Sequence, residues 1–313
     1  MELPPVVFLV FDEIHKYSEW RNMLKGLYDE FEQTRRILVT GSARLDWFRY
    51  SGDSLQGRYH HLRLHPLSVA ELGIENESDL LQLLNLGPFP EPFFSGSETE
   101  ARRWSRAYRN LLIREEMRDL QQVTDLGKVE LLALRLPDLV GSPLSVNAIR
   151  EVLQVSHKTA NNWISSLERL YALWRISPFG APKIRAVTKA KKHYHSDWSV
   201  VPDHAIRFEN LVAMHLLKWV HYQQDTLGRD LDLRYFRDID GREVDFVIVE
   251  RTTPTKFIEV KWKDEPISKG LKYLKQRFPG AAAFQISAVG SKDYETADGY
   301  RVLPAVRYLK ELV

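Results

Sequence analysis

The chain has 313 residues, 44% of them hydrophobic and 27% charged, an ordinary globular composition long enough for two or three domains. Its formal net charge is only +2, so nothing global demands nucleic acid and any basic surface must be local. It has no cysteine, which excludes disulfides and cysteine-held zinc and fits the cytoplasm; no apolar run approaches the ~20 residues of a membrane helix, and the N-terminus lacks the basic start and cleavage site of a signal peptide.

Residues 6–11 (VVFLVF) form an uninterrupted apolar run, the pattern of a parallel strand covered on both faces, and it closes in Asp12-Glu13. The spacing of Trp20, Leu24, Leu27 and Tyr28 predicts a helix. Residues 36–44 (RILVTGSAR) read as a second buried strand ending in the small polar residues Thr40 and Ser42. A third run, His61-Leu62-Arg63-Leu64, follows Gly57-Arg58-Tyr59 and reads as another strand. Pro66 and the Pro/Gly-rich stretch 87–92 mark a change of domain, with Ser68 and Glu71 spaced as a capping box. Residues 98–124 read as helix, with Trp104, Tyr108, Leu111, Leu112 and Met117 as packing positions.

Residues 142–168 have helix-turn-helix grammar. Ser145 and Ser156 are the caps, and Ala148, Ile149, Val152 and Leu153 pack inward with Ala160, Ile164 and Leu167. The start of the second helix offers His157, Lys158, Thr159, Asn161 and Asn162, residue types that reach base edges or phosphates. Residues 173–176 then resemble a wing strand. The stretch 183–195 is the basic one: Lys183, Arg185, Lys189, Lys191 and Lys192 are placed to track a phosphate backbone or, as readily, to form a solvated charged loop. Asp197-Trp198-Ser199 reads as a structural turn.

From residue 207 to 220 the apolar spacing is helical, and residues 231–237 alternate like a strand before the turn residues 238–241. Residues 241–249 and 257–262 are two further strand-like runs; 267–278 is helical, Pro279-Gly280 stops it, and 281–286 reads as a buried strand. The first run carries Asp245 and the second Glu259-Val260-Lys261. Successive strand side chains point to opposite faces, so Glu259 and Lys261 share one. If Asp245 faces them from the neighbouring strand, two carboxylates and an ammonium converge. Mg²⁺ or Mn²⁺ binds such a pair while keeping waters, and a metal so held polarises a phosphodiester and activates water. Lys261 either stabilises developing negative charge or helps deprotonate that water. The bland alternative is the charge alternation of any half-buried hairpin.

The order helix, three strands, helix, strand, with Glu209, Asp245 and Glu259-x-Lys261, resembles the PD-(D/E)XK, or restriction-endonuclease-like, superfamily over residues 203–290. The resemblance implies that Glu209, Asp245, Glu259 and Lys261 form a catalytic site, with Asp245 and Glu259 as metal ligands. At the other end of the chain, an apolar strand closing in Asp12-Glu13 is the Walker B pattern of P-loop ATPases, where aspartate holds Mg²⁺ and glutamate polarises the attacking water. The pieces DEIHKYSEW, LVTGSAR, SLQGRYHHLRLHPLSVAEL and FENLVA together resemble prokaryotic AAA+-type ATPases that carry a C-terminal endonuclease-like domain. That resemblance implies that Thr40 and Ser42 touch the γ-phosphate and its water, and that Arg58 is a finger reaching a neighbour's nucleotide.

No G-x-x-x-x-G-K-[ST] occurs in the sequence, and only five residues precede Val6, where the family's P-loop strand and helix would lie. The expectation is a truncated member that does not hydrolyse ATP alone and binds it only if a P-loop is supplied elsewhere. Its first ~70 residues, with strand edges uncovered, would be poorly packed or pair with another chain, a full-length ATPase or a second copy.

The expected class is α/β and multidomain. Residues 1–70 would form a partial AAA+ parallel sheet, 71–135 a helical connector, 136–200 a winged helix and basic linker, and 201–313 an αβββαβ endonuclease-like domain. The expected function is a DNA-interacting protein with a Mg²⁺-dependent phosphodiesterase site. Two alternatives stand beside it: a non-catalytic regulatory or scaffold protein docking on a complete ATPase, and an ATPase whose P-loop lies upstream.

Overall fold

The structure, a computed structural model, describes residues 7–31, 35–41, 57–117, 125–180 and 190–312. They divide into two compact units, Met1–His61 with Arg169–Tyr171, and Leu62–Glu168 with Ala172–Val313.

In the first unit, β1 (Val7–Phe11) and β2 (Arg35–Val39) pair in parallel, with Phe11 opposite Val39, and α1 (Trp20–Phe31) connects them. Ile14, Trp20 and Leu24 form its small core, with Phe11, Met23, Ile37 and Val39 packed against them. Alternation sends the remaining strand side chains outward, so Phe8 and Val10 are 66% and 60% exposed. The mixed α/β class and a parallel N-terminal sheet are as the sequence led one to expect.

The run read as a third strand is not one. Residues 62–66 run without strand pairing along the long helix α8 (His204–Leu227). The Arg63 backbone N–H donates to the Asp225 carboxylate at 3.1 Å, its guanidinium to the same group at 2.6 Å, and the Lys218 ammonium to the Pro66 carbonyl at 3.0 Å. Side chains of α8 thus satisfy the backbone that a neighbouring strand would otherwise have met.

The second unit is built on a mixed sheet of eight strands in the order β4-β3-β5-β6-β7-β8-β10-β9. These are β3 (Leu173–Pro178), β4 (Lys192–His195), β5 (Leu231–Arg237), β6 (Glu243–Glu250), β7 (Thr253–Lys263), β8 (Ala282–Val289), β9 (Tyr294–Glu295) and β10 (Tyr300–Pro304). Helix α8 precedes three antiparallel strands, β5 to β7; α9 (Lys269–Arg277) crosses over to β8, which is parallel to β7. That element order is the expected one. Beyond it, β9, β10 and α10 (Ala305–Leu309) complete the chain, a part the sequence reading left unassigned. One core joins α8 and α10 to one side of the sheet through Phe208, Leu211, Phe246, Ile258, Ile286 and Leu309. Another joins α9 through Val247, Phe257, Leu271 and Leu274.

Helices α2 (Glu77–Leu86), α3 (Pro90–Ser95) and α4 (Glu98–Leu111) follow the 62–72 segment, and α4 runs into a π turn at Leu112–Met117. The rest of the helix expected to residue 124 lies outside the described residues. Helix α5 (Leu126–Arg135) leads to the pair α6 (Val146–Leu153) and α7 (His157–Arg169). Ser145 accepts from the Ala148 N–H at 3.2 Å and Ser156 from the Thr159 N–H at 3.0 Å, the caps read from the sequence. The expected wing needs correction: β3 pairs antiparallel with β4 but also parallel with β5 through Ser177 and Pro178, so both strands extend the large sheet. Their backbone groups find partners there that a free hairpin would lack.

Candidate functional site

Strands β6 and β7 set the centre of the site. The paired register ends at Phe246 opposite Ile258; Asp245 and Glu259 are the next residue on each strand, alternation turns both to one face, and they lie close enough for the Glu259 charge to act on Asp245. The Val260 N–H donates to Asp245 Oδ2 at 2.8 Å, and Lys261 Nζ stands 2.9 Å from Glu259 Oε1. Glu259 is 5% exposed; the Ser268 hydroxyl stands near enough to act on its carboxyl, while its Oε2 is buried without a hydrogen bond of good geometry.

Helix α8 supplies Glu209 in its second turn. Asp203 caps the helix by accepting from the Ala205 and Ile206 N–H groups, both at 2.9 Å. Asn210, fully buried, accepts from the His195 N–H at 2.8 Å and donates to the His195 carbonyl at 2.7 Å, which clamps β4 to the helix. The clamp brings two residues of β4 to Glu209. Tyr194 donates its hydroxyl to Glu209 Oε1 at 2.7 Å, and Lys192 Nζ lies 3.5 Å from the same oxygen and 2.5 Å from Glu243 Oε1. The backbone at Gly141 (φ 77°) closes over this carboxylate: a Cβ there would lie 3.3 Å from Glu209 Oε2.

Electrostatics bind these groups into one cluster. Burial, followed by the charges of Glu259 and Glu209, holds the Asp245 carboxyl well above the usual carboxylate range. Burial also raises Glu259, in spite of Lys261 beside it. Burial opposes the charge on Lys261, yet the Glu259 carboxylate outweighs it and raises the lysine above its ordinary value. Lys261 therefore stays an ammonium, which favours charge stabilisation over proton abstraction. Lys192 behaves alike: Glu209, Asp245 and Glu243 overcome its burial and raise it.

The four residues expected at this site, Glu209, Asp245, Glu259 and Lys261, are thus brought together. Two more, Tyr194 and Glu243, were missed, and their only signal was position beside residues already singled out. Lys192 was assigned to a surface that tracks phosphates, and this is corrected: its side chain is 1% exposed and ion-paired inside the cluster. A strand whose neighbour is a helix bearing Glu209 turns that side chain inward. Lys191 is exposed, whereas Lys183, Arg185 and Lys189 lie outside the described residues.

The donor set decides what could sit here. Among the described residues no three Asp, Glu, His or Cys side chains stand close enough to hold a metal ion alone. Mg²⁺ seldom needs such a cage, since it keeps several waters on one or two carboxylates. An Asp–Glu pair with an orphaned buried oxygen fits an ion of that kind.

On α7, His157, Lys158, Asn161 and Asn162 are exposed, while Thr159 is half-buried and bonded to Ser156 at 2.8 Å. In the first unit, the Thr40 hydroxyl donates to Asp12 Oδ1 at 2.5 Å, because parallel pairing ends both strands side by side. Glu13 follows in the left-handed region at φ 50°, a conformation non-glycine residues seldom adopt. Arg58 lies 3.3 Å from Asp29 and over the Tyr28 ring. Ser42 lies outside the described residues.

Residues 2–73 match the family model of an AAA domain, 77–210 that of a domain of unknown function, DUF8612, and 206–308 that of another, DUF4143. An uncharacterized protein of Mycobacterium tuberculosis and one of Mycobacterium bovis are each 22% identical to this chain over 299 residues, covering 89% of it. The chain spans 66% of the length of these curated relatives. No solved structure matches. The resemblance read at the N-terminus, to ATPases of the AAA type, is borne out by the first of these matches. Among the described residues no helix is long and apolar enough to cross a membrane.

Proposed function

We propose that the second unit is a Mg²⁺- or Mn²⁺-dependent phosphodiesterase acting on DNA, on a chain whose N-terminal segment is of the AAA type. The observation that carries this reading is Asp245 and Glu259 at the end of the β6–β7 pairing, each within reach of the other's charge, with one buried Glu259 oxygen unpartnered and an ammonium 2.9 Å from Glu259. Asp245 and Glu259 would hold the ion, with Glu209, fixed by the Tyr194 hydroxyl, adding negative charge beside them. A divalent ion held there would supply polarisation of the phosphodiester and a water of lowered pKa. Lys261, kept protonated by Glu259, donates to the charge that builds on the phosphate oxygens. Glu259 in turn fixes the Lys261 head group, so the donor needs no reorganisation as charge develops. The exposed N-terminal face of α7, with His157, Lys158, Asn161 and Asn162, is the surface suited to a duplex.

Calorimetric titration of Mn²⁺ into the wild type and Asp245→Ala tests the site. Binding should weaken at least about tenfold in the variant, and plasmid nicking that needs the metal should vanish in Glu259→Ala and Lys261→Ala. Equal heats in both proteins would sink the reading.

A second reading concerns the N-terminal segment alone. The Asp12–Thr40 contact at 2.5 Å couples a Walker B aspartate to a residue suited to sensing the γ-phosphate. On this reading the segment contributes to an ATP site whose phosphate-cradling loop comes from elsewhere, and Arg58 serves a neighbouring nucleotide.

A further inference from the structure

Four carboxylates meet in the cluster, Glu209, Glu243, Asp245 and Glu259, and two ammonium groups answer them, Lys192 and Lys261. The two lysines divide the space. Lys261 lies on Glu259, and Lys192 lies between Glu209 and Glu243, within reach of the Asp245 charge. Glu265 is 4.0 Å from Lys261 but 44% exposed, so water screens it. With four carboxylates and two ammonium groups, two carboxylates are left without a cation of their own, Asp245 and one of the Glu209–Glu243 pair, while Glu259 Oε2 makes no hydrogen bond.

Lys192 has no way out of this position. Its ammonium lies over the Tyr235 ring, 5.4 Å from the centroid. Its backbone pairs with Ile176 of β3 on one side and bridges Pro143 on the other, and the Asn210 clamp holds the strand three residues on. A buried ammonium persists only where carboxylates surround it, and here they do. In sites with two metal ions about 4 Å apart, each ion neutralises part of one acidic cluster. A tethered ammonium neutralises without exchanging.

We propose that Lys192 is a built-in cation that occupies the place of a second metal ion, so that the cluster takes one divalent ion, between Asp245 and Glu259. This rests on the metal-dependent reading above and deepens it by assigning a stoichiometry and a positioning residue. Lys192 holds Glu209 and Glu243 away from the ion and touches neither the ion nor the substrate.

The test is calorimetric titration of Mn²⁺ into the full chain. The wild type should take one ion, and Lys192→Met two, because Glu209 and Glu243 are freed to ligate. One ion in both, at equal affinity, overturns the role of Lys192 and leaves the metal site standing. Two ions in the wild type overturn it as well, and no ion in the wild type overturns both readings. Circular dichroism checks that the variant folds. Should it not, Glu243→Gln carries the test: loss of a charge on a non-ligand should weaken the single Mn²⁺ about tenfold, and unchanged affinity overturns the proposal.

Discussion

His215 shows what one buried residue contributes. Its Nε2 accepts from the Val69 N–H at 3.0 Å, so its proton sits on Nδ1, which donates to the Leu211 carbonyl at 2.8 Å. Burial pushes its pKa down to about 4. The folded imidazole therefore stays neutral between about pH 6.5 and 4, while the unfolded one takes up a proton. The unfolded state binds more protons in that window, so its stabilisation is present above pH 6.5 and lost as the pH falls toward 4, by up to about 3 kcal/mol. His65 and His193, also lowered to about 4, and His195, lowered to about 3, act in the same direction. Urea midpoints measured at pH 7 and pH 5 should fall steeply in the wild type. They should fall less in His215→Leu, which at pH 7 is already destabilised by about 1–3 kcal/mol through the unpaired Val69 N–H. Parallel pH slopes would refute the assignment to His215. The sequence showed a histidine on an apolar helical face and nothing of its two partners, one of which is 146 residues away.

At the scale of elements, strand β4 does most to build the site, and only four residues belong to it. Its side chains alternate: Lys192 and Tyr194 turn to the carboxylates, while His193 bonds the Leu136 carbonyl at 2.9 Å on the other face. Asn210 decides the register, since its side chain meets both backbone groups of His195. Asn210→Ala leaves a buried N–H and C=O unpaired and should cost about 2–4 kcal/mol in urea denaturation. A loss below about 0.5 kcal/mol would mean that the strand is held by its pairing with β3 alone. Composition pointed the other way, because five basic residues in a short stretch read as a solvated surface. The β6–β7 pair was easier, since alternation alone puts Glu259 and Lys261 on one face and only the register was left to bring Asp245 to it.

Taken whole, the molecule has its stability concentrated in the second unit. The eight-stranded sheet there is covered by cores on both sides. Among the described residues of the first unit the core holds Ile14, Trp20 and Leu24, and on β1 and β2 Phe8, Val10 and Leu38 are exposed. Amides in β1 and β2 should exchange at least about a hundredfold faster than those in β6 and β7, which lie within the large sheet, as expected where few apolar contacts resist local opening. Equally slow exchange in the isolated chain would show that something covers that face, such as a second copy.

Periodicity and punctuation in the sequence were enough to determine the mixed α/β class, the helix pair 145–169 with its serine caps, and the run from α8 through β8, while the AAA-like start was read from its resemblance to a family and matched by an AAA domain model. Alternation put Glu259 and Lys261 on one face with Asp245 as the candidate opposite them, and Glu209 was named only through the resemblance to PD-(D/E)XK proteins. Tertiary structure alone decided that residues 62–66 lie along α8 instead of forming a strand, that β3 and β4 join the large sheet, and that Lys192 is an internal cation. The physical reason is common to all three. Local sequence sets which way a side chain points along its own element, whereas the partner that satisfies a backbone or a buried charge is chosen by packing between elements far apart in the chain.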